Sequence, residues 1–487
     1  MTVTIKELTN HNYIDHELSA TLDSTDAFEG PEKLLEIWFF PHKDAITTEK
    51  TLRDIVMARW IEILKLVKCE VLSMKKTKEL DAFLLSESSL FVFDHKLTLK
   101  TCGTTTTLFC LARLFQIIEQ ELSWDFQTTA SGKYKPFKVF YSRRCFLFPC
   151  KQAAIHQNWT DEVDYLNRFF DNGTSYSVGR NDKSNHWNLY VTETDRATSE
   201  ETDCIEDDDE TFEVLMTELD PECADKFVCG PDTSTAAPAE LNEDKGHNLG
   251  YQMTKKTKLD DIYLNSSQDS NLSFHHDAFA FTPCGYSSNM VLDEKYYYTL
   301  HVTPEKGWSY ASFESNIPVF DLSQGKQDNL DVLLHILNVF QPREFSMTFF
   351  TKNSENPSFK KLLRIDESLS EYITLDKIVY DLDDYHLFYM KLQKKYEKPP
   401  LPAVLHIHTY LHKMVLYYSA ISCLIPSTYN KNAMNIITPP FLTSQNIGRK
   451  LAEPRGGGKK SPSEFLDQTD PSSQGILAAQ TFFLSLM

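Results

Sequence analysis

Glu87, Ser88 and Ser89 stand in a row inside Leu84–Thr105, a stretch that reads LLSESSLFVFDHKLTLKTCGTT. A serine amide is inert unless its hydroxyl attacks the carbonyl before it. That attack turns the peptide into an ester, and β-elimination then breaks the ester and leaves a pyruvoyl group on the new amino end. Ser-Ser alone is no signal, because Ser266-Ser267, Ser287-Ser288 and Ser472-Ser473 occur in the same chain. The setting distinguishes this pair: a strand-like apolar run follows it, and Cys102-Gly103 then turns into a threonine-rich helix start. Backbone N–H groups and the positive helix end at such a junction favour a thiolate, which raises Cys102 above the other nine cysteines.

Elements must position these groups. From Glu32 to Phe39 the alternation predicts a strand with Glu32, Leu34, Glu36 and Trp38 on one face and Lys33, Leu35, Ile37 and Phe39 on the other. Trp38 draws that face inward, where paired carboxylates need a cation or a proton. Residues 51–68 carry an apolar stripe at helical spacing, strands are expected at 70–76, 81–87 and 89–99, and a helix is expected from Gly103 with Leu108, Leu111, Phe115, Ile118 and Leu122 inward. Strand 136–149, helix 160–170 and strands 174–180 and 186–193 follow. Residues 230–248 and 264–273 read as insertion loops. Ala278–Tyr286, Tyr296–Thr303 and Trp308–Ser315 read as β segments, then a helix at 328–340 and strands near 345–351 and 372–393. Two comparable halves predict an α+β fold of two sheets packed face to face with helices outside.

Three spaced blocks make the chain resemble the eukaryotic S-adenosylmethionine decarboxylase proenzymes. LSESS and KTCGTT stand at Leu85–Ser89 and Lys100–Thr105, FEGxEKLLE at Phe28–Glu36, and PCGYS with HxTPE at Pro283–Ser287 and His301–Glu305. A further block, DxTxEILMSELDP, is matched with substitutions from Asp209 to Pro221. The resemblance implies a four-layer αββα sandwich and self-cleavage between Glu87 and Ser88, giving an 87-residue β chain and a 400-residue α chain (487 − 87). Ser88 would become the pyruvoyl group, whose ketone forms a Schiff base with S-adenosylmethionine and takes up the electrons released on decarboxylation. The product would be the aminopropyl donor of spermidine and spermine biosynthesis. By the same resemblance Cys102 is the proton donor, while Ser287 and His301 serve processing. Phe28 and Phe281 stack on the adenine, Glu305 binds the ribose, Leu85 lies beside the substrate, and Glu29 and Glu32 are acidic positions of the active site. Glu36, Asp209, Thr211, Glu213 and Glu314 match a buried putrescine site, with Lys100 beside the path linking the two sites. The resemblance also implies a homodimer of the two-chain unit.

A net charge of -20 argues against a nucleic-acid or anionic-membrane partner and suits cationic ligands. The first residues lack a basic start and an apolar run, and no stretch reaches the length of a membrane span, so a cytoplasmic protein with free thiols is expected. His406, His408 and His412 have no carboxylate or cysteine at ligand spacing, so no metal is expected. Residues 1–26 read as a mobile arm, 27–395 as the core, and 396–487 as a divergent, largely disordered extension. Two other readings compete. A catalytically inactive paralogue that activates a decarboxylase subunit would be expected to lose Ser88, Cys102, Ser287 or His301, all of which are present. A thiol hydrolase using Cys102 and His301 would leave the chain whole.

Overall fold

Strands buried largely on both faces build two antiparallel sheets. The computed structural model describes residues 2–3, 30–128, 130–146, 148–179, 186–192, 209–229, 245–263, 272–305, 307–382 and 385–395. The first sheet holds β1 (Thr2–Val3), β2 (Lys33–Trp38), β3 (Val71–Lys76), β4 (Leu80–Leu85), β5 (Ser88–Phe93), β6 (Lys96–Thr101), β7 (Lys138–Arg144), β8 (Gly173–Val178) and β9 (Trp187–Thr192). Its order is β1-β3-β4-β5-β6-β2-β7-β9-β8. The second holds β10 (Glu210–Thr217), β11 (Phe274–Ala280), β12 (Tyr286–Leu292), β13 (Tyr296–Thr303), β14 (Tyr310–Ser315), β15 (Glu344–Thr351), β16 (Tyr372–Leu382) and β17 (Tyr385–Lys394), in the order β11-β12-β13-β14-β10-β15-β17-β16.

On β2, Leu35 and Ile37 pack into one buried cluster with Trp60, Ile63 and Leu64 of helix Met57–Val67 and with Phe115 and Ile118 of helix Leu111–Leu122. On β10, Phe212, Val214 and Met216 pack with Val332, Leu333 and Ile336 of helix Asn329–Phe340. The opposite strand faces meet each other. Leu215, Tyr310, Tyr389, Trp187 and Leu189 form one apolar patch between the sheets; Phe91, Phe93, Val291 and Tyr297 form another, with Phe91 and Tyr297 stacked at 3.7 Å. The expected four layers of helices, sheet, sheet and helices are therefore present. Ser73 Oγ donates to Asp277 Oδ2 at 2.6 Å and Asn289 Nδ2 to the Phe83 carbonyl at 3.0 Å, so polar groups also cross the gap.

Several boundaries differ from the expected ones. The single strand expected at 89–99 divides into β5 and β6 at Asp94-His95, whose carbonyls accept from the Leu52 and Phe39 N–H groups. The helix expected from Gly103 starts at Leu111, after a 3-10 turn at Thr107–Cys110. Thr105 and Thr106 hydroxyls bond the Cys102 and Leu66 carbonyls at 2.7 Å and hold the intervening segment out of the helix. Residues 278–286 span the end of β11 and a turn through Pro283, which lacks the N–H a ladder needs, and the stretch 372–393 is the β16–β17 hairpin. Helix Lys245–Thr257 begins inside the stretch expected as a loop. Of the expected arm only Thr2–Val3 is described, paired to β3; the rest of it, and the extension 396–487 with its histidines, lie outside the described residues.

Helix Lys245–Thr257 covers β11, the edge strand that leads to Phe281. At Gly250 an added Cβ would sit 2.6 Å from the Phe279 nitrogen and 2.7 Å from the Ala278 carbonyl carbon. Gly250→Ala gains about 1 kcal/mol in helix propensity. Overpacking against immovable backbone costs about 1–3 kcal/mol. The variant is expected to melt at a lower temperature than the parent chain, and an unchanged or higher Tm would show that the helix can withdraw from β11.

Candidate active site

β4 and β5 are joined by a two-residue turn, Ser86-Glu87, with Leu85 and Ser88 as the pair that closes it. All residues of β4, β5 and β6 are buried. Ser88 adopts φ +88°, a conformation that side chains other than glycine rarely hold, and has no exposed surface. Its Oγ donates to Glu32 Oε1 at 3.3 Å, and Ser312 Oγ donates to the same oxygen at 2.9 Å. Burial pushes the Glu32 carboxyl up to about 7 against the pull of Lys100 and Ser312. Glu87 is also pushed up to about 7 by burial; it bonds the Ser86 hydroxyl, and its carbonyl accepts from Cys69 Sγ at 3.8 Å.

Cys102 follows β6 and is buried near Ser88. Burial, together with Glu32 and Glu87, drives its thiol far above the ordinary range, while Ser88 and Lys33 pull weakly the other way. The expectation of a thiolate is thus corrected. The helix start lies too far along the chain to help, desolvation prevails, and Cys102 holds its proton.

From the second sheet, His301 on β13 places Nδ1 3.0 Å from Ser287 Oγ and Nε2 2.9 Å from Thr299 Oγ1. Nε2 also lies 3.3 Å from Ser89 Oγ, which donates to Asn289 Oδ1 at 2.7 Å. Burial and then Lys100 hold the imidazole well below its usual range, so it is neutral and able to accept a proton. Ser287 and His301 are register partners across β12 and β13, and the cluster meets the β4–β5 hairpin through Ser89, one residue beyond Ser88.

Lys100 lies between the sheets. Its Nζ reaches Glu314 Oε2 at 2.7 Å, Glu213 Oε1 at 2.9 Å and Glu32 Oε2 at 3.6 Å. Burial alone would discharge this ammonium, but the three carboxylates outweigh it and keep its pKa well above normal. Tyr297 donates to Glu314 Oε1 at 3.0 Å. Lys96, four residues back on the same strand face, sits 3.7 Å from Glu36 Oε1, 3.8 Å from Asp209 Oδ1 and 3.7 Å from the centre of the Trp38 ring. Tyr385 donates to Asp209 Oδ2 at 2.7 Å. Glu32, Glu36, Asp209, Glu213 and Glu314 against Lys96 and Lys100 leave a formal excess of three negative charges (5 − 2). Burial answers by raising Glu36 and Glu213 as well. Glu32 Oε2 and Tyr310 Oη are buried there without a hydrogen-bond partner among the described residues.

The structure therefore brings Ser88, Glu87, Glu32 and Cys102 together, sets Ser287 and His301 beside them, and gathers Glu36, Asp209, Glu213 and Glu314 around two lysines. Thr211 is half-buried on β10 and follows the same alternation as Asp209 and Glu213. Phe281 is half-buried in the β11–β12 turn with its ring 5.0 Å from that of Phe279, and Glu305 accepts from Trp308 Nε1 at 2.7 Å. Leu85 packs in the cluster between the first sheet and its helices. Phe28 and Glu29 lie outside the described residues. Ser89, Asn289, Thr299, Ser312 and Lys96 escaped the sequence reading. Period-2 counting from Ser287, His301, Glu314 and Lys100 would have found the last four, because each lies two or four residues from a predicted residue on the same face.

These residues fall within a match to a known family. A profile described as adenosylmethionine decarboxylase matches residues 25–393. Over 395 residues the chain is 88% identical to the S-adenosylmethionine decarboxylase proenzyme of Saccharomyces cerevisiae, covering 81% of this chain and 100% of the relative. The proenzyme of the same description from Drosophila melanogaster is 36% identical over 329 residues, 66% of this chain and 82% of that one. That from Xenopus laevis is 32% identical over 367 residues, 75% and 95% of the two chains. With the match spanning both sheets and the cleft between them, the chain belongs to the adenosylmethionine decarboxylase family.

Proposed function

We propose that the chain cleaves itself between Glu87 and Ser88 and then decarboxylates S-adenosylmethionine, supplying the aminopropyl donor for spermidine and spermine. The observation that carries this reading is Ser88 itself, held at φ +88° with its hydroxyl on Glu32 and a protonated Cys102 nearby. Glu32 takes the Ser88 hydroxyl proton as Oγ attacks the Glu87 carbonyl carbon, and the peptide becomes an ester. His301, neutral and hydrogen-bonded to Ser287, removes the Cα proton of residue 88, which expels the Glu87 carboxylate. The resulting enamine tautomerises to an imine, and one water hydrolyses it, supplying the ketone oxygen and releasing ammonia to leave the pyruvoyl group. Once formed, that group supplies the electron sink for decarboxylation. The surroundings fit it, since the position is wholly buried and Cys102 keeps a proton to deliver to the substrate carbon.

Phe281, with Phe28, is assigned to the adenine ring and Glu305 to the ribose; Glu29 adds charge that favours the sulfonium. The excess negative charge around Lys96 and Lys100 suits a diamine dication such as putrescine, which would relieve the carboxylates that burial raises. The α and β chains stay interleaved, because β4 ends at Leu85 and β5 starts at Ser88 in one sheet. A homodimer of that unit completes the reading.

Under denaturing conditions the purified protein should give two masses of about 10 and 46 kDa out of 56.2 kDa, the larger starting with a blocked pyruvoyl end. A single uncleaved chain that persists with putrescine would overturn the proposal. The cleavage rate has a defined pH dependence. Glu32 is protonated below about 7 and cannot accept the Ser88 proton, so the rate should climb about tenfold per pH unit up to that value and then level off. Glu32→Gln should be slow at all pH values; a variant that keeps the parent profile would remove Glu32 from the step. Putrescine should accelerate cleavage or turnover, and Asp209→Asn, which removes one of the excess charges, should raise the diamine concentration needed for half its effect by about tenfold. Equal responses from both proteins would place the diamine elsewhere.

A further inference from the structure

One buried cation lies on the opposite face of β2 from the cleft. Lys33 opens that strand and has no exposed surface. Its Nζ donates to the Gly103 carbonyl at 3.1 Å and to Gln152 Oε1 at 3.4 Å, and Gln152 Nε2 donates to the same carbonyl at 3.1 Å. That carbonyl belongs to the residue after Cys102, in a turn where Gly103 takes φ +60°. Two donors thus fix the turn that carries the thiol.

The charges around Lys33 do not balance. Arg143, its register partner on β7, donates through Nε to Glu162 Oε2 at 2.6 Å. Tyr141 Oη and His156 Nδ1 occupy Glu162 Oε1 at 2.7 and 2.6 Å, so that carboxylate is fully engaged. Both cations lie over the Phe146 ring, 5.0 Å from Lys33 Nζ and 4.5 Å from Arg143 Cζ. Lys33 and Arg143 against Glu162 leave one formal positive charge (2 − 1). Two further acidic groups that face Lys33 among the described residues are thiols, Cys102 and Cys69. A buried ammonium with a spare charge is stabilised when one of them ionises.

We propose that Lys33 is the positioning residue for Cys102: it clamps the Cys102–Gly103 turn through the Gly103 carbonyl and holds the positive charge that offsets the Cys102 thiolate. The inference rests on Cys102 as proton donor. When the S–H bond breaks, the proton goes to the substrate carbon that has lost carbon dioxide and the bonding electrons stay on sulfur. The Lys33 ammonium balances the new anion until a solvent proton restores the thiol. Cys69 is set apart by its contact with the Glu87 carbonyl, which occupies its thiol.

The test is the pH profile of kcat for the full-length, self-cleaved protein and its Lys33→Met and Lys33→Arg variants, with rates per mole of cleaved chain. Burial holds the Lys33 ammonium down to about 8, so kcat of the parent protein should fall above that pH as the charge is lost. Lys33→Arg keeps its charge, and its alkaline limb should move up by about one pH unit or more. Lys33→Met should lose at least about tenfold in kcat with KM little changed, and should lose the limb near 8. A Lys33→Met protein of parental Tm that keeps the parental kcat and limb would overturn the proposal, as would a parent profile flat through pH 8. Should the Met variant not fold, Lys33→Arg decides alone: a limb still near 8 overturns the role. A parent chain that never cleaves is a separate result, which removes the parent reading and the Lys33 role with it.

Discussion

Lys100 is an ammonium taken fully out of water, and the two sheets are arranged around it. Its partners come from three places far apart in the chain: Glu32 at the entry to β2, Glu213 on β10 and Glu314 on β14. Removing one partner from a buried ionic network costs about 3–5 kcal/mol, because the charge left behind stays buried. An exposed pair such as Lys43–Glu79 contributes about 0.2–1 kcal/mol at most. The interior network therefore dictates how the sheets meet, and the surface pairs follow. A sandwich filled only with apolar side chains would be tighter, but it would have no means of holding a cationic ligand.

The same burial maintains Ser88 in an unfavourable backbone conformation. A non-glycine residue at positive φ costs about 1–3 kcal/mol. The hairpin's own strands, β4 and β5, and the neighbouring β6 have every residue buried and hold it there. The strained torsion, about the Ser88 N–Cα bond, adjoins the Glu87–Ser88 peptide bond. Three titratable groups, Glu32, Cys102 and His301, are buried by the same packing. Desolvation sets each of them: it raises the two acids and lowers the imidazole, so that around neutral pH Cys102 and His301 are neutral and Glu32 is near its midpoint.

Glu32 and Lys100 also join two regions that would otherwise be separate. Glu32 touches Ser88 on one side and Lys100 on the other, and Lys100 continues to Glu213 and Glu314. Lys96 holds Glu36 and Asp209 on the same strand face. A cation bound among the outer carboxylates would change the field at Glu32 without any movement of the backbone, since unscreened charges in a dry interior act over several ångströms.

Much of this was legible in the chain because β-structure writes its faces at a period of two. Glu32 and Glu36 could be placed on one face of β2, opposite Lys33 and Leu35, and Ser88, Cys102, Ser287 and His301 could be named from their blocks. The turn at Asp94-His95 and the late start of the helix at Leu111 were not legible, because carbonyls held by Phe39, Leu52 and the threonine hydroxyls decide them from outside the local pattern. The protonation state of Cys102 was misjudged for the same reason. Local order suggested a helix end beside a thiol; the tertiary structure put the thiol into a desolvated pocket beside carboxyl groups. The sequence by itself determined which residue types are present and which share a strand face, since that follows from covalent geometry. Only the tertiary structure decided which charges meet across more than a hundred residues, and so which protons are held, because desolvation depends on what the other sheet brings to the gap.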